Sequence, residues 1–388
     1  MCYVVLTESL GMVLVFDKSE KLLAVKMQYP GIIYPERYGC AQDSSGGGSS
    51  AELTLEFRYE LVRFADSDEF SPEADILNTM ELVAKHLLAR PESKEILSDS
   101  LTSNSGGIVY NMRRAIRNNK PQEFLNGLSK YNNLIAKYRK DGSIRSRIAN
   151  MTTIPFPLVE HILSQTYART VAPEVECLKD YEAFTSNVYG ELLPKFTKRL
   201  FQESGLTAEK VFVDLGSGTG NVVLHAALEI GCESWGCEIM KNATALADKQ
   251  KREFAARCRM WGINPGKFRL EKGDFLESSR IAEALKRADV VLVNNYMFAS
   301  ELNQRLLNLF LDLKEGTQII SLKPFVSTNH VITTRNAENP VSRLRVEEKE
   351  YFSNSVSWTD AGGKYYVQTV DGSMLRTFFD QQASKRTC

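Results

Sequence analysis

The sequence predicts a mixed α/β fold in which a mainly helical lobe precedes a mostly parallel β-sheet. After about residue 210, short apolar runs bounded by turn residues alternate with helical patterns, which is typical of βαβ units. A glycine-rich turn at residues 216–220 joins the first of these runs to a helix. Between about residues 72 and 173, apolar residues recur instead at helical spacing.

The first half of the chain is expected to contain two segments. Residues 1–50 form an N-terminal extension that ends in a Gly/Ser-rich linker at residues 43–50. Apolar runs at residues 3–6 and 12–16 favour short strands, and Glu8 interrupts the pattern of a secretion signal. Residues 51–178 form the helical lobe, with helices predicted at residues 72–90, 107–119, 121–138 and 157–168.

The second half, residues 179–388, is expected to form the α/β domain. Strands are predicted at residues 211–215, 234–238, 268–272, 290–293 and 318–322. The helices between them are predicted at residues 221–230, 242–261, 278–286 and 300–313. Two later strand patterns, at residues 342–348 and 364–371, have no clear helix between them, so we expect an antiparallel hairpin at the sheet edge.

The composition excludes several classes of protein. The 388 residues include 48 basic and 48 acidic side chains, so uniform binding to a polyanion is excluded. The seven cysteines contain no Cys-x-x-Cys pair, which argues against a disulfide scaffold or a zinc ribbon. The presence of only four histidines disfavours a His-rich metal site or catalysis by several histidines. No apolar run reaches the length of about 18 residues that a membrane helix needs.

Charge is distributed unevenly within the predicted helical lobe. Residues 51–100 hold 5 basic and 12 acidic side chains, whereas residues 101–150 hold 10 basic and 2 acidic, a net charge of +8. Two hypotheses remain open for this basic segment. It is either a solvated helical surface or a docking face for an acidic partner.

The glycine-rich turn is the strongest local signal for a ligand. Asp214 ends the preceding apolar run, and Gly216, Gly218 and Gly220 follow at alternate positions. The dinucleotide fingerprint needs its third glycine one position later, where Asn221 stands. An acidic residue before such a turn resembles the first motif of S-adenosylmethionine-dependent methyltransferases. A purely structural turn is the alternative.

Three further polar positions follow predicted strands. Glu238, at the end of the next strand, is suited to accept hydrogen bonds from ribose hydroxyls, although an exposed strand-end residue is the alternative. Asp274 and Phe275 are suited to an adenine amino group and to stacking on the purine. Asn294 follows the fourth predicted strand, where a side-chain amide can orient a substrate amine. Taken alone, this position is more typical of an ordinary turn residue.

Taken together, seven short motifs resemble the disruptor-of-telomeric-silencing family, in particular its fungal branch. They are NVYGEL at 187–192, VDLGSGTGN at 213–221, GCEIM at 236–240, GDF at 273–275, VNN at 293–295, SLKPF at 321–325 and SVSWT at 355–359. The resemblance covers roughly residues 75–370 and is strongest after residue 181. It implies a nucleosomal histone H3 lysine methyltransferase with a class I, Rossmann-like, seven-stranded fold and no SET domain. It therefore makes residues 179–388 the catalytic domain.

The resemblance also implies roles for individual residues. S-adenosylmethionine is the implied cofactor, and no metal is expected. Asn294, Tyr181 and Tyr365 would surround the lysine channel as catalytic residues, with Trp358 supporting it. The implied cofactor-binding residues are Tyr189, Gly190, Glu191, Leu192, Phe212, Val213, Asp214, Leu215, Gly216, Ser217, Gly218, Thr219, Gly220, Asn221, Glu238, Asp274 and Phe275. Leu192 and Tyr296 depart from the family pattern, where a hydroxyl residue and Phe are found.

The implied biology is chromatin regulation in the nucleus, including telomeric silencing and the DNA-damage checkpoint. The implied partners are the nucleosome with its DNA, the histone H4 tail and ubiquitinated histone H2B, and no membrane. We expect positioning of the lysine, rather than a general base, to drive the reaction. The alternatives are a class I methyltransferase of RNA or a small molecule, an inert chromatin-binding module and, least supported, an NAD oxidoreductase.

Overall fold

The computed structural model describes residues 23–28, 56–61, 71–98, 106–179 and 190–386. The strands predicted at residues 3–6 and 12–16 and the linker at 43–50 lie outside these ranges. The chain divides into two compact units. The first contains Met1–Arg169 and Ala255–Asn264, and the second contains Thr170–Phe254 and Pro265–Cys388. No helix in the described ranges is long and apolar enough to cross a membrane.

The first unit is mainly helical, as predicted. Strands β1 (Leu23–Gln28) and β2 (Glu56–Leu61) pair antiparallel. The helices are α1 (Pro72–His86), α2 (Arg90–Leu97), α3 (Ile108–Arg117), α4 (Pro121–Lys140), α5 (Ser143–Ala149) and α6 (Phe156–Thr170). Helix α1 begins where the Ser71 hydroxyl accepts a hydrogen bond from the Ala74 N–H, followed by proline at the first helical position. Its predicted apolar face is fully buried at Ile76, Met80 and Val83.

Buried polar groups explain why Ala255–Asn264 belongs to this first unit. The Arg257 guanidinium, which is 0% exposed, donates from Nη1 to Gln165 Oε1 at 3.2 Å. Trp261 lies edge-on to His161, with ring centroids 5.9 Å apart. Burial lowers the pKa of His161, while Asp75 opposes the shift and Arg257 adds to it. The interior of this unit is therefore partly held by hydrogen bonds that link distant parts of the chain.

The second unit contains the alternating elements predicted from the sequence. A 3₁₀ segment at Ala172–Lys179 and helix α7 (Pro194–Glu203) come before the main sheet. The strands are β3 (Val211–Leu215), β4 (Glu233–Glu238), β5 (Phe268–Lys272), β6 (Val290–Val293), β7 (Gln318–Ser321), β8 (Leu344–Tyr351) and β9 (Gly363–Val370). The helices are α8 (Asn221–His225, continued by a π-turn), α9 (Lys241–Trp261), α10 (Ser279–Arg287), α11 (Ser300–Leu309) and α12 (Ser373–Arg386).

Seven strands of the described chain form one sheet in the order β5-β4-β3-β6-β7-β9-β8. The first five are parallel, whereas β9 pairs antiparallel with both β7 and β8. The predicted fold class and the edge hairpin are therefore confirmed. From β3 the chain first adds β4 and β5 on one side of this strand, and it then crosses to add β6 on the other side of β3. The carboxyl end of β3 therefore lies at a topological switch point.

Residues of β3 alternate between two hydrophobic cores. Val213 and Leu215 belong to one core, and Phe212 belongs to the other, where its ring meets Phe201 edge-on. Every residue of β3 is buried, as expected for a central parallel strand. The sheet thus fixes the end of β3 between two packed faces, and the glycine-rich turn begins from this fixed point.

Candidate active site

A cavity lies at the carboxyl ends of the parallel strands in the second unit. Its lining comes from the ends of β3 to β6, from the start of α8 and from the segment before α7. The lining residues are Gly190, Glu191, Leu192, Asp214, Gly216, Ser217, Gly218, Thr219, Asn221, Val222, Glu238, Ile239, Met240, Ala243, Asp274, Phe275, Leu292, Asn294, Phe298 and Leu302. Thirteen of the predicted site residues are in this set, so the structure brings together motifs separated by up to 104 residues, from Gly190 to Asn294.

The glycine-rich turn forms one wall of the cavity. Gly216 and Gly220 have φ angles of 84° and 89°, in the left-handed region that L side chains rarely adopt. A Cβ atom at Gly220 would also lie 2.6 Å from Cδ1 of Leu270. The N–H groups of Gly216 and Ser217 both donate to the carbonyl of Cys237, at 2.9 and 3.0 Å. The spacing of glycines seen in the sequence is therefore required by the backbone of this turn.

Cys237 lies beneath the turn and is buried. Its thiol donates a hydrogen bond to the carbonyl of Gly273 at 3.3 Å. Burial, followed by the nearby charges of Glu238, Glu271 and Asp274, raises the pKa of this thiol to about 12. The sulfur is therefore a neutral packing group at neutral pH rather than a nucleophile.

Four carboxylates line the cavity, and none of its described lining residues is basic. Glu238 is held by two backbone N–H groups: Oε2 accepts from Gly218 at 2.9 Å, and Oε1 accepts from Met240 at 2.8 Å. Asp214 is only 4% exposed, and burial together with the charge of Glu238 raises its pKa to about 8. Two close acidic groups in a buried setting favour a cationic ligand, because a cation stabilises both ionised forms.

Asp274 and Phe275 lie at the β5 side of the cavity. Asp274 Oδ1 accepts a hydrogen bond from the Leu276 N–H at 2.8 Å, which fixes the orientation of the carboxylate. Phe275 is 7% exposed and belongs to the core beside β3. This pair offers an acceptor and an aromatic ring at one place, which suits a purine with an exocyclic amino group.

Asn294 lies where the cavity meets an aromatic pair. Its Nδ2 donates to the carbonyl of Gly190 at 3.1 Å, which leaves the amide oxygen oriented to accept a hydrogen bond. Trp358 packs against Gly190, since a Cβ there would lie 2.5 Å from Cε3 of the indole. The rings of Tyr296 and Trp358 have centroids 5.9 Å apart, and Lys323 Nζ lies 5.6 Å from the Tyr296 centroid. Tyr296, an unusual residue in the motif, therefore belongs to this partly exposed group.

Five described residues among the predicted site set do not line the cavity. Phe212, Val213 and Leu215 are buried in the two cores, and Gly220 supports the turn from behind. Strand alternation explains their placement, because only the residues at and after the end of β3 reach the ligand side. Tyr181 and Tyr189 lie outside the described residues, and their predicted roles stay predictions.

Tyr365 requires a correction, because the structure places it in a core and not at the cavity. It is 0% exposed, and its hydroxyl donates to Glu203 Oε2 at 2.5 Å. Its ring meets Phe196 edge-on at 5.4 Å. Burial and the hydrogen bond to Glu203 raise the pKa of Tyr365. The alternation of β9 turns this side chain toward α7, so its observed role is to anchor that helix.

The sequence reasoning missed most of the apolar lining, although it included Leu192 and Phe275. Val222, Ile239, Met240, Ala243, Leu292, Phe298 and Leu302 all contact the cavity. Ile239 and Met240 lie within the quoted motif at 236–240, and Val222 and Leu292 lie directly beside quoted motifs, which was the available signal. The others are ordinary core-forming residues in sequence, and only the fold shows that they reach a ligand surface.

The carboxylates and the aromatic ring that line the cavity fit S-adenosylmethionine, the cofactor expected from the resemblance. This molecule carries a sulfonium and an ammonium, which suit Asp214 and the other carboxylates, and an adenosine, which suits Glu238, Asp274 and Phe275. A pyrophosphate would instead meet four acidic groups and no basic one. No cluster of metal-ligating side chains occurs within the described ranges.

The chain is similar to known proteins in sequence. The profile of the family described as "Histone methylation protein DOT1" matches residues 167–370. The chain is 47% identical over 357 residues to "Histone-lysine N-methyltransferase, H3 lysine-79 specific" of Emericella nidulans, covering 92% of this chain and 70% of that protein. It is 50% identical over 327 residues to the protein of the same description from Aspergillus fumigatus, covering 84% of this chain and 64% of that protein.

A solved structure of an RNA methyltransferase from Salinibacter ruber in complex with S-adenosyl-L-homocysteine is also similar. It matches with a TM-score of 0.29 and 20% identity, covering 45% of this chain and 90% of that one.

Proposed function

The chain belongs to the DOT1 histone-methylation family, and on that premise we propose that it methylates lysine-79 of histone H3, with S-adenosylmethionine as donor. The substrate is taken as H3 assembled in nucleosomes. The observation in the structure that supports this proposal is the acidic cavity, which has four carboxylates, no basic lining residue and an oriented asparagine at its mouth. The seven-stranded order and the antiparallel β9 provide the class I methyltransferase framework.

The residues of this chain bind and orient, and they leave the bond-making chemistry to the cofactor. S-adenosylmethionine supplies an activated methyl group when bound. Asp214 and Glu238 provide negative charge beside the glycine-rich turn, and Asp274 and Phe275 recognise the purine. Glu191 and Leu192 cover the cavity from the segment before α7.

Asn294 positions the target amine. With its Nδ2 engaged by the Gly190 carbonyl, its oxygen is available to accept an N–H from the incoming lysine. Trp358 and Tyr296 provide an apolar lip that disfavours the charged ammonium form of that lysine by desolvation. The amine must be neutral to attack, and its proton leaves to water. In-line placement then supplies most of the rate enhancement.

The proposed partners are those of a chromatin enzyme acting in the nucleus. Nucleosomal DNA, the histone H4 tail and ubiquitinated histone H2B are proposed as contacts alongside H3. Within the first unit, an open groove beside α3 and α4 is lined by three cations, Arg114, Lys130 and Lys137, and by two carboxylates, Glu95 and Glu123. Glu123 is paired with Lys120, whereas none of the three cations is in an ion pair within the described residues. These cations support the hypothesis that the basic segment docks to a polyanion rather than forming only a solvated surface.

Transfer of labelled methyl groups from S-adenosylmethionine tests the function directly. Reconstituted nucleosomes, free histone H3 and RNA are compared at equal concentration. We expect label on H3 in nucleosomes, mapped to lysine-79 by peptide mass spectrometry, and little label on free H3. Label on RNA, or the absence of label from H3 while the cofactor still binds, would contradict the proposed substrate.

A further inference from the structure

Two segments of the second unit form a short antiparallel ladder at the mouth of the cavity. Leu192 and Val356 form the bridge, and the Leu193 N–H donates to the Ser355 carbonyl at 2.9 Å. The Ser357 N–H donates to the Glu191 carbonyl at 2.9 Å, and the Glu191 N–H donates to the Ser357 hydroxyl at 2.9 Å. The main chain of Glu191 is thus held at both of its polar groups by Ser357.

The two sides of this ladder face different parts of the site. Glu191 lines the cofactor cavity, and its Oε1 lies 3.5 Å from Thr219 Oγ1 on the glycine-rich turn. The residue after Ser357 is Trp358, which packs against Gly190 and lies beside Tyr296. Gly190 in turn accepts the hydrogen bond from Asn294. One small ladder therefore joins the cofactor wall to the aromatic lip and the substrate-orienting amide.

We propose that Ser357 is a positioning residue that couples occupation of the cofactor cavity to the placement of Trp358 at the cavity mouth. The proposal rests on the proposed function for the identity of the ligand. Ser357 is exposed and does not line the cavity, so it acts through Glu191 and Trp358 rather than by contact with the reactants. Its hydroxyl contributes the side-chain hydrogen bond of the ladder, which a substitution can remove without altering the backbone pairs.

The physical basis is linkage between two sites through one rigid element. When the bound cofactor draws the Glu191 main chain to a fixed position, the paired bonds transmit that position to Ser357 and the adjoining indole. Linkage is reciprocal, so a fixed Trp358 also favours the Glu191 position that closes on the cofactor. Without the hydroxyl, the Glu191 N–H turns to water, and the two segments keep only their backbone contacts.

Wild type and three variants test the coupling, with S-adenosylhomocysteine as the probe ligand. Ser357→Ala removes the acceptor, and Ser357→Thr retains it. Ser353→Ala is the matched control, because Ser353 is exposed in the same segment and makes no side-chain hydrogen bond within the described residues. The chain has three tryptophans, so the Trp358 signal is the emission difference between each protein and its own Trp358→Phe counterpart. Ligand affinity is measured calorimetrically in parallel.

In wild type and in Ser357→Thr and Ser353→Ala, ligand binding is expected to change the Trp358 emission. In Ser357→Ala, affinity falls about 5-fold, as for one exposed hydrogen bond, and the Trp358 response is lost. An unchanged Trp358 response in Ser357→Ala would overturn the coupling even if affinity falls. A wild-type protein with no Trp358 response would overturn it as well.

Methyl transfer to nucleosomes, run on the same proteins, separates this inference from the proposed function. Wild type that shows the expected Trp358 response but labels no histone retains the coupling and refutes the substrate. Wild type that labels H3 but lacks the Trp358 response supports the proposed substrate and refutes the coupling. If wild type binds no S-adenosylhomocysteine, both the coupling and the assigned cofactor are overturned.

Discussion

At the scale of single residues, Asp214 carries an electrostatic cost that a cationic ligand removes. Burial and the neighbouring Glu238 hold its pKa at about 8 in the ligand-free protein. This folded-state pKa lies above the ordinary carboxyl value, so ionisation opposes folding. The stability contribution of the protonated form is present at acidic pH and is lost as the pH rises through about 8.

We therefore predict that binding of S-adenosylmethionine near pH 7 releases up to about one proton, because the cation favours ionised Asp214. Calorimetry in buffers with different ionisation enthalpies measures this release. The melting temperature of the free protein should fall as the pH rises from about 4 to about 8, between the ordinary and the folded-state pKa of Asp214, and ligand should reduce that fall. Asp214→Asn should abolish both effects. Proton uptake, or no exchange, would show that the carboxylate does not face the cation.

Asn294 gives a second prediction at this scale. Asn294→Ala should lower the rate of methyl transfer about 100-fold through misplacement of the amine, while leaving the affinities for cofactor and nucleosome unchanged. Single-turnover transfer and separate binding titrations distinguish these quantities. If the variant loses cofactor affinity instead, Asn294 binds the cofactor rather than positioning the substrate amine.

Single residues also mark where sequence reasoning fails. Asp214, Glu238, Asp274 and Asn294 were predictable, because polar residues at the ends of parallel strands must share one edge of the sheet. Tyr365 was placed wrongly, because a tyrosine in a strand can face either side and no local signal shows which side is covered. The partner that decides its placement is Glu203, 162 residues earlier in the chain.

At the scale of elements, the glycine-rich turn joins β3 to α8 through backbone conformations that other residues resist. Gly216→Arg should weaken cofactor binding by bulk and like charge, with affinity reduced on the order of 100-fold or more. It should also lose about 1–2 kcal/mol of stability from the left-handed backbone. Ligand titration and denaturant unfolding measure the two effects separately.

Gly316→Arg is the matched control for this prediction. Gly316 has the same φ of 84°, open space around its Cα and a position outside the cavity lining. It should lose similar stability and bind the cofactor normally. If both variants lose cofactor binding, backbone strain and not the ligand contact explains the result at Gly216.

Elements differ in how well their sequences predict them. The strands β3 to β7 were predicted to within one residue at each end, since buried parallel strands are short apolar runs between turn signals. The pairing of β1 with β2 was not predicted, because it joins segments 28 positions apart, from Gln28 to Glu56. Helices α7 and α12 were also missed.

At the scale of the whole molecule, the net charge of zero coexists with a groove in the first unit whose lining has three cations and two carboxylates. Alanine at Arg114, Lys130 and Lys137 together should weaken binding to nucleosomes and duplex DNA. Each lost phosphate contact should also reduce the slope of log affinity against log salt by about one. Arg113→Ala is the matched control, because Arg113 is exposed but already paired with Glu81. An unchanged slope in the triple variant would support the hypothesis that the basic segment is only a solvated surface.

The fold of the whole chain was more predictable than its division into units. The alternating patterns and ordered motifs predict the seven-stranded sheet, and the topology confirms it. The assignment of Ala255–Asn264 to the first unit depends on buried side chains such as Arg257 and Trp261. Nothing in the local pattern of α9 distinguishes these residues from a helix end that packs on its own sheet.

The buried thiol beneath the glycine-rich turn also makes the protein convenient for chemical labelling. Cys232, Cys237 and Cys258 are buried, whereas Cys177 is exposed among the described residues. A maleimide should therefore modify Cys177 before any of those three in the native protein, once Cys2, Cys40 and Cys388 are replaced. A fluorophore or crosslinker placed there would report on complexes while leaving the sulfur below the cavity unmodified.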